Sequence, residues 1–564
     1  MRTTSYSSGW QRLSLHIRAK LVKDVPVGQF LKKLVKWSWI LLLVASILQI
    51  LIFSTYQNII AVFAVMIAWL ATSKIFLHSD NLNNYPLSSF LVIGFTATQL
   101  YFPLIFTLLE YKPVIYNLEM PLEVFFHSIA ALSVLIAAHF VYRLIPVNKQ
   151  RNNSSILKRI GLFQPPSELQ FWFMGLIGMI ANVYVFFFSP AIATEVSGNA
   201  ADKAILALLP FTYAPYFIPF KQLYNGSGSS SKNMVTLLIM YTIVLFVISM
   251  ARNSRGAFMI GFTSVGFSYL LGLLIGFFKA PKISYKSVIL CIASFWLLTG
   301  PMADLGTAMV LVRDQRSDIS KAELIDLTLK AFKNKNAIIL RRLQDNGVQG
   351  DWDERYLNNI FTARFANLKF NDISLVQARI VGDNNEAMRK FSIDYVWGAL
   401  PTPILKLFNP AVDKEMVYST SFGDYLYSLA GAGSDAYGGF RTGHFAGTGM
   451  AAFGFGYLWI LCLGMIPVYY LFDKLVFIKS SNNMAANKTQ HKPLYFSACG
   501  LLALTSIFQY LPTESVVAPA TFILRGWIQM VLLYFVMFQV TRFICVFFFN
   551  NQQRAIANPQ VLVF

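Results

Sequence analysis

The sequence predicts an all-α polytopic membrane protein with about twelve transmembrane helices and one large outer loop between helices 9 and 10. Three observations lead there. The chain of 564 residues is 55% hydrophobic and 15% aromatic, too apolar for a soluble domain of that length. Apolar runs long enough to cross about 30 Å of hydrocarbon recur along it. Its basic residues gather in alternate connections, as topology demands of a multi-pass protein.

The runs fall at 37–54, 58–77, 87–109, 121–145, 169–189, 204–220, 234–251, 257–278, 287–303, 445–472, 494–511 and 521–549. They divide the chain into a basic tail (1–36), helices 1 to 9 (37–303), a polar segment of about 140 residues (304–444), helices 10 to 12 (445–549) and a second tail (550–564). No cleavable signal peptide is expected, because the first apolar run follows a basic, polar stretch and is long enough to span.

The net charge of +20 raises the question of nucleic acid, but its distribution excludes that partner. Arg2, Arg12, Arg18, Lys20, Lys23, Lys32, Lys33 and Lys36 lie in the first tail, and the other basic connections hold Lys149 to Arg159, Lys221 to Lys232, Lys279 to Lys286 and Lys474 to Lys492. With twelve helices all of these share one side, which the positive-inside rule makes cytoplasmic, as it does both termini. The segment 304–444 then faces outward. From Arg313 to Arg441 it carries 17 basic residues, and from Asp314 to Asp435 it carries 16 acidic ones, leaving 30 and 11 for the rest. Almost the whole positive excess therefore belongs to the membrane part. Single cysteines at Ser317 and Ser481, in a background without the native ones, test this arrangement: an impermeant thiol reagent on intact cells is expected to label position 317 and not 481. The opposite pattern inverts the topology.

Cys291, Cys462, Cys499 and Cys545 all lie in apolar runs, so they read as packing residues and build neither a disulfide framework nor a zinc site. Lys74 reads as snorkelling. Glu123 suits a cavity lining, and His127 and His139 are too far apart on one helix to form a ligand pair. The chain has no P-loop, HExxH motif or metal-binding carboxylate pair, so chemistry without metal or cofactor is the expectation.

Within the outer segment, apolar residues at helical spacing over 319–343 predict an amphipathic helix, with shorter ones over 353–366 and 384–399. Pro401, Pro403 and Pro410 interrupt the pattern, and 423–456 is rich in glycine, which lets backbone approach a ligand or simply forms a loop back to the membrane.

Two arginine clusters are the chemical candidates. Arg252 and Arg255 occupy the short connection Arg252-Asn253-Ser254-Arg255-Gly256 on the outer face. Their planar paired donors suit phosphate oxygens, and they equally suit anchoring at lipid headgroups. Arg441 lies three residues before His444 at the same outer plane, an arrangement able to hold a diphosphate beside a titratable nitrogen. His444 is thus a candidate base or a structural turn residue, and the outer carboxylate Asp424 is the other candidate base. Arg525, near the outer end of the last helix, completes the phosphate site or pairs with Glu514.

The RNSRG turn leading into the apolar run 252–278, the large outer loop before the third helix from the end, and the return HFAGTGMAAFGFGYLWILCLGM (444–465) resemble the bacterial oligosaccharide repeat-unit polymerases, the O-antigen polymerase family. Some members carry an arginine, ten residues and a glycine in two outer loops. Arg255 and Gly266 match that spacing, whereas Arg441 is followed at that distance by Ala452 and reaches a glycine only at Gly454. The resemblance implies a GT-C-like membrane fold in the bacterial inner membrane. It also implies inverting glycosyl transfer on the outer face, from a chain on undecaprenyl diphosphate to a lipid-linked repeat unit, building O-antigen or capsule. A chain-length regulator and a flippase are the implied partners. An O-antigen ligase and a lipid-linked oligosaccharide flippase or transporter are the alternatives, the latter disfavoured by the few charges within helices.

Overall fold

The computed structural model describes residues 27–145, 156–188, 200–226, 233–279, 284–312, 319–343, 352–478, 494–511 and 513–548. The amino-terminal tail to residue 26, the carboxy-terminal tail from residue 549, and positions 317 and 481 lie outside them.

The protein is built of helices, with one two-stranded hairpin among the described residues. Ten of the described helices are long and apolar enough to cross a membrane. They are α1 (Val27–Ile52), α2 (Tyr56–Ile75), α3 (Pro86–Leu109), α4 (Pro121–Leu144), α5 (Glu168–Phe188), α6 (Asp202–Phe220), α7 (Met234–Ala251), α8 (Arg255–Leu274), the pair Phe445–Asp473, and the last helix, Ala518–Phe548. Leu51, Ile67, Ile180, Ile239, Trp459 and Phe543 are among the large apolar residues that these helices leave exposed, as helices facing lipid do.

Two segments expected to span are not single long helices. The run 287–303 forms α9 (Tyr285–Thr299), which stops at Gly300 and restarts as α10 (Pro301–Leu311). Pro301 lacks the N–H that would continue the ladder and pushes the residue before it out of helical geometry. The fifteen residues of α9 reach about 22 Å, short of the hydrocarbon thickness. The run 494–511 opens as a strand and breaks into two helices of five residues each. Irregular backbone is tolerated at membrane depth only where protein covers it. Here Leu501, Leu504, Ile507 and Phe508 are buried, and Gly94 of α3 lies so close to the Phe508 carbonyl that a side chain would not fit. The second half of α6, Leu209–Phe220, is wound as a 3₁₀ helix around Pro210, Pro215 and Pro219 and packs against Gly175 and Gly178 of α5.

The expected outer segment begins with α10 and continues through α11 (Lys321–Lys333), α12 (Lys335–Leu343), α13 (Leu368–Val381), α14 (Glu386–Gly398), α15 (Thr402–Phe408), α16 (Lys414–Ser419) and α17 (Phe422–Tyr427). The expected amphipathic stretch 319–343 is two helices broken at Asn334, with Lys335 paired to Asp304 at 2.6 Å. The chain then returns through α18 (Phe445–Phe453), a break at Gly454 (φ 53°), and α19 (Tyr457–Asp473). Strands β1 (Val476–Ile478) and β2 (Leu494–Phe496) pair antiparallel; the short helices α20 (Ala498–Leu502) and α21 (Leu504–Phe508) follow, and α22 (Ala518–Phe548) closes the fold.

Buried carboxylates fasten both ends of the bundle. Asp473, at the end of α19, accepts the backbone N–H groups of Leu87 (3.1 Å) and Ser88 (3.3 Å), the Ser88 hydroxyl (2.6 Å) and the Tyr142 hydroxyl (2.9 Å), so it caps the start of α3. At the end carrying the outer segment, Asp372 of α13 accepts Met120 N–H (2.8 Å), Glu119 N–H (3.1 Å) and Lys369 Nζ (2.9 Å). Glu110 accepts the N–H groups of Asn358 and Asn359 and pairs with Lys112. The outer segment is therefore bonded to the α3–α4 connection, and it also packs on the return helix, where Gly447 of α18 leaves no space for a side chain against Ser374 of α13.

Candidate functional site

The outer segment enters the helix bundle where α3 changes its winding. Residues Ala97–Tyr101 form a π-turn, an insertion that takes carbonyl groups out of the ordinary ladder and recurs at functional sites. Thr98 O accepts the Asn367 N–H at 3.0 Å, and the fully buried Gln99, near the middle of α3, meets His444. Further π-turns lie at Tyr184–Phe188, Ser428–Ala432 and Phe522–Gly526, the last holding Arg525.

His444 caps α18, its Nδ1 accepting Ala446 N–H at 3.2 Å. Because Nδ1 accepts, the ring proton lies on Nε2, 2.9 Å from Gln99 Nε2. Turning the amide over gives that proton an acceptor and also a partner to Gln99 Oε1, which otherwise has none. The imidazole is 1% exposed, and burial holds its pKa well below the ordinary range, with His127 adding to the effect. Both ring nitrogens are thus engaged within the protein. We expect His444→Ala to reduce the yield of folded protein through loss of a cap worth about 0.5–2 kcal/mol, and His444→Asn to restore it. Specific activity of the surviving protein should stay within several-fold of the parent. A full yield with turnover reduced a hundredfold or more would return the role of base to His444.

Asp424 belongs to α17, capped by Ser421, whose hydroxyl accepts Asp424 N–H and donates to Arg441 O, both at 3.0 Å. Its carboxylate is fully buried. Oδ2 accepts Phe440 N–H at 2.8 Å, while Oδ1 accepts Arg441 N–H at 3.0 Å and Arg441 Nη1 at 3.2 Å. These bonds make it a clamp on the loop that presents Arg441. Nη1 also donates to Ala436 O at 2.7 Å, and the guanidinium lies 4.8 Å from the centre of the Tyr427 ring. The Arg441 side chain is 25% exposed, and its other donors have no partner among the described residues.

Arg525 donates from Nε to Gln529 at 3.2 Å and is exposed. It forms no ion pair with Glu514 among the described residues, although both charges act on Tyr395. Glu514 accepts Phe422 N–H through Oε2 at 3.1 Å. Burial raises its pKa to about 7; that hydrogen bond opposes the rise, and Asp424 and Glu354 add to it. Lys414 donates to Leu400 O at 2.7 Å, and its pKa is lowered by burial and by the charges of Arg525 and Lys203.

Arg252 stands elsewhere. It ends α7, donates to Asn182 of α5 at 3.2 Å and lies 3.5 Å from the centre of the Phe186 ring. Arg255 opens α8, and its side chain is outside the described part. No contact among the described residues joins Arg252 to Arg441, His444 or Arg525. The structure therefore brings Arg441, Asp424, Glu514 and Arg525 into one neighbourhood with His444 beside it, and leaves the 252 cluster on α5 and α7. Among the described residues no group of three His, Cys, Asp or Glu side chains converges.

The chain is a helical, multi-pass membrane protein with a polar segment between its spans packed into the helix bundle. No protein family, curated protein or solved structure matches it.

Proposed function

We propose that this protein polymerises undecaprenyl-diphosphate-linked oligosaccharide repeat units into a surface polysaccharide, O-antigen or capsule. The reaction is metal-independent inverting glycosyl transfer at the outer face of a bacterial cytoplasmic membrane, on a GT-C-like scaffold with both termini inside. The observation that carries the reading is the packing of Arg441, Asp424 and Glu514 together where the outer segment meets the membrane helices. A lipid diphosphate resides at that boundary. Its departure develops negative charge that fixed guanidinium groups stabilise; Arg441 and Arg525 are assigned to it here, with Arg252 and Arg255 as a second contact along the lipid-linked chain.

Deletion followed by electrophoresis of surface glycans tests the proposal. A single-unit product in place of the ladder is expected. Free lipid-linked polymer would instead indicate a ligase, and loss of all external glycan a flippase.

A further inference from the structure

We infer that Glu514 is the base that accepts the proton of the acceptor sugar hydroxyl, an assignment that rests on the glycosyl-transfer reading above. Its backbone is fixed by the return helix: Phe445 N–H donates to Thr513 O at 2.8 Å, and the Thr448 hydroxyl to Glu514 O at 2.7 Å. The side chain reaches α17, where Phe422 N–H holds Oε2 and leaves Oε1 without a partner among the described residues. Glu514 is partly exposed, whereas Asp424 and Asp372 are buried.

Both oxygens of Asp424, Asp372 and Glu110 are engaged. Asp424 takes three hydrogen bonds, Asp372 takes three, and Glu110 takes two backbone N–H groups and Lys112. Glu123 is paired with Arg379 at 2.7 Å. Both nitrogens of His444 are engaged. The charged groups that act on Glu514 are Asp424 of α17 and the exposed Glu354, and Glu514 and Arg525 of α22 both act on Tyr395 of α14. Burial and the two carboxylates keep its affinity for a proton near neutrality, the range in which a base both exists deprotonated and accepts a proton readily.

The step balances without another reactant. The acceptor oxygen forms a bond to the anomeric carbon of the donor chain, the bond from that carbon to the diphosphate oxygen breaks, and its electron pair leaves on the polyprenyl diphosphate. The hydroxyl proton passes to Glu514 Oε1.

The test uses the full chain in proteoliposomes with purified lipid-linked repeat units, comparing parent, Glu514→Gln and Glu514→Asp across pH. The glutamine retains an oxygen for Phe422 N–H, so folding should survive. Turnover should fall by about 10²–10⁴ fold in Glu514→Gln with donor KM little changed. The parent should lose activity as pH falls through about 7, that limb should vanish in Glu514→Gln, and Glu514→Asp should regain part of the rate. Folded Glu514→Gln that elongates at the parental rate, or keeps the acidic limb, overturns this assignment alone. A parent protein that elongates nothing overturns the glycosyl-transfer reading and this inference with it.

Discussion

Asp372→Ala is expected to remove most of the folded protein. Asp372 is fully buried and shares its carboxylate among Met120 N–H, Glu119 N–H and Lys369, whose side chain is 3% exposed. Deletion leaves a buried ammonium with the Asn117 carbonyl but no counter-charge, and strands two backbone donors at once. Breaking one member of a buried pair typically costs about 3–5 kcal/mol, a large part of the total of about 5–15 kcal/mol that holds a domain folded. Asp372→Asn keeps an acceptor and should fall between. Yield of monodisperse protein and its thermal midpoint in detergent measure the effect. An alanine variant with the parental midpoint would mean that the contact between α13 and the start of α4 does not hold the outer segment.

The second large effect is on turnover. Arg441→Lys should lower it by about 10²–10³ fold, the usual consequence of losing one preorganised donor to developing charge. The guanidinium spans Asp424 Oδ1 and Ala436 O through Nη1 while keeping other donors unpaired among the described residues. One ammonium cannot occupy both roles. Because Phe440 N–H and Arg441 N–H still hold Asp424, the variant should fold. Arg252→Lys should also impair transfer, through loss of the flat stacking on Phe186. Full activity in both variants would reduce these arginines to anchors at the membrane interface.

Composition and hydropathy made the membrane class legible, and ten of the expected runs are long helices. The other two deceive for different reasons. The run 287–303 is apolar enough, but Gly300-Pro301 ends its helix early. The run 494–511 is apolar because protein buries it, and hydropathy does not distinguish a neighbouring helix from lipid. The site was partly legible. Arg441 and His444 drew notice by their spacing, yet spacing does not reveal that His444 spends both nitrogens on Ala446 and Gln99, residues 2 and 345 positions away. Nor does it show Asp424 clamping the arginine's own loop. In the sequence Glu514 stands out only as a partner for Arg525. Its free oxygen depends on the long-range approach of α17 to the 509–517 connection, for which a single sequence carries no local signal. The π-turn at 97–101 is equally silent, since Ala-Thr-Gln-Leu-Tyr suits an ordinary helix.

The central claim is that this protein joins lipid-linked glycans, and the most direct measurement is the length of product made by the purified chain. In proteoliposomes supplied only with lipid-linked single repeat units, the account predicts a ladder of two or more units and release of one polyprenyl diphosphate for each bond formed. Repeat units that stay single, or that merely cross the bilayer unchanged, would contradict it.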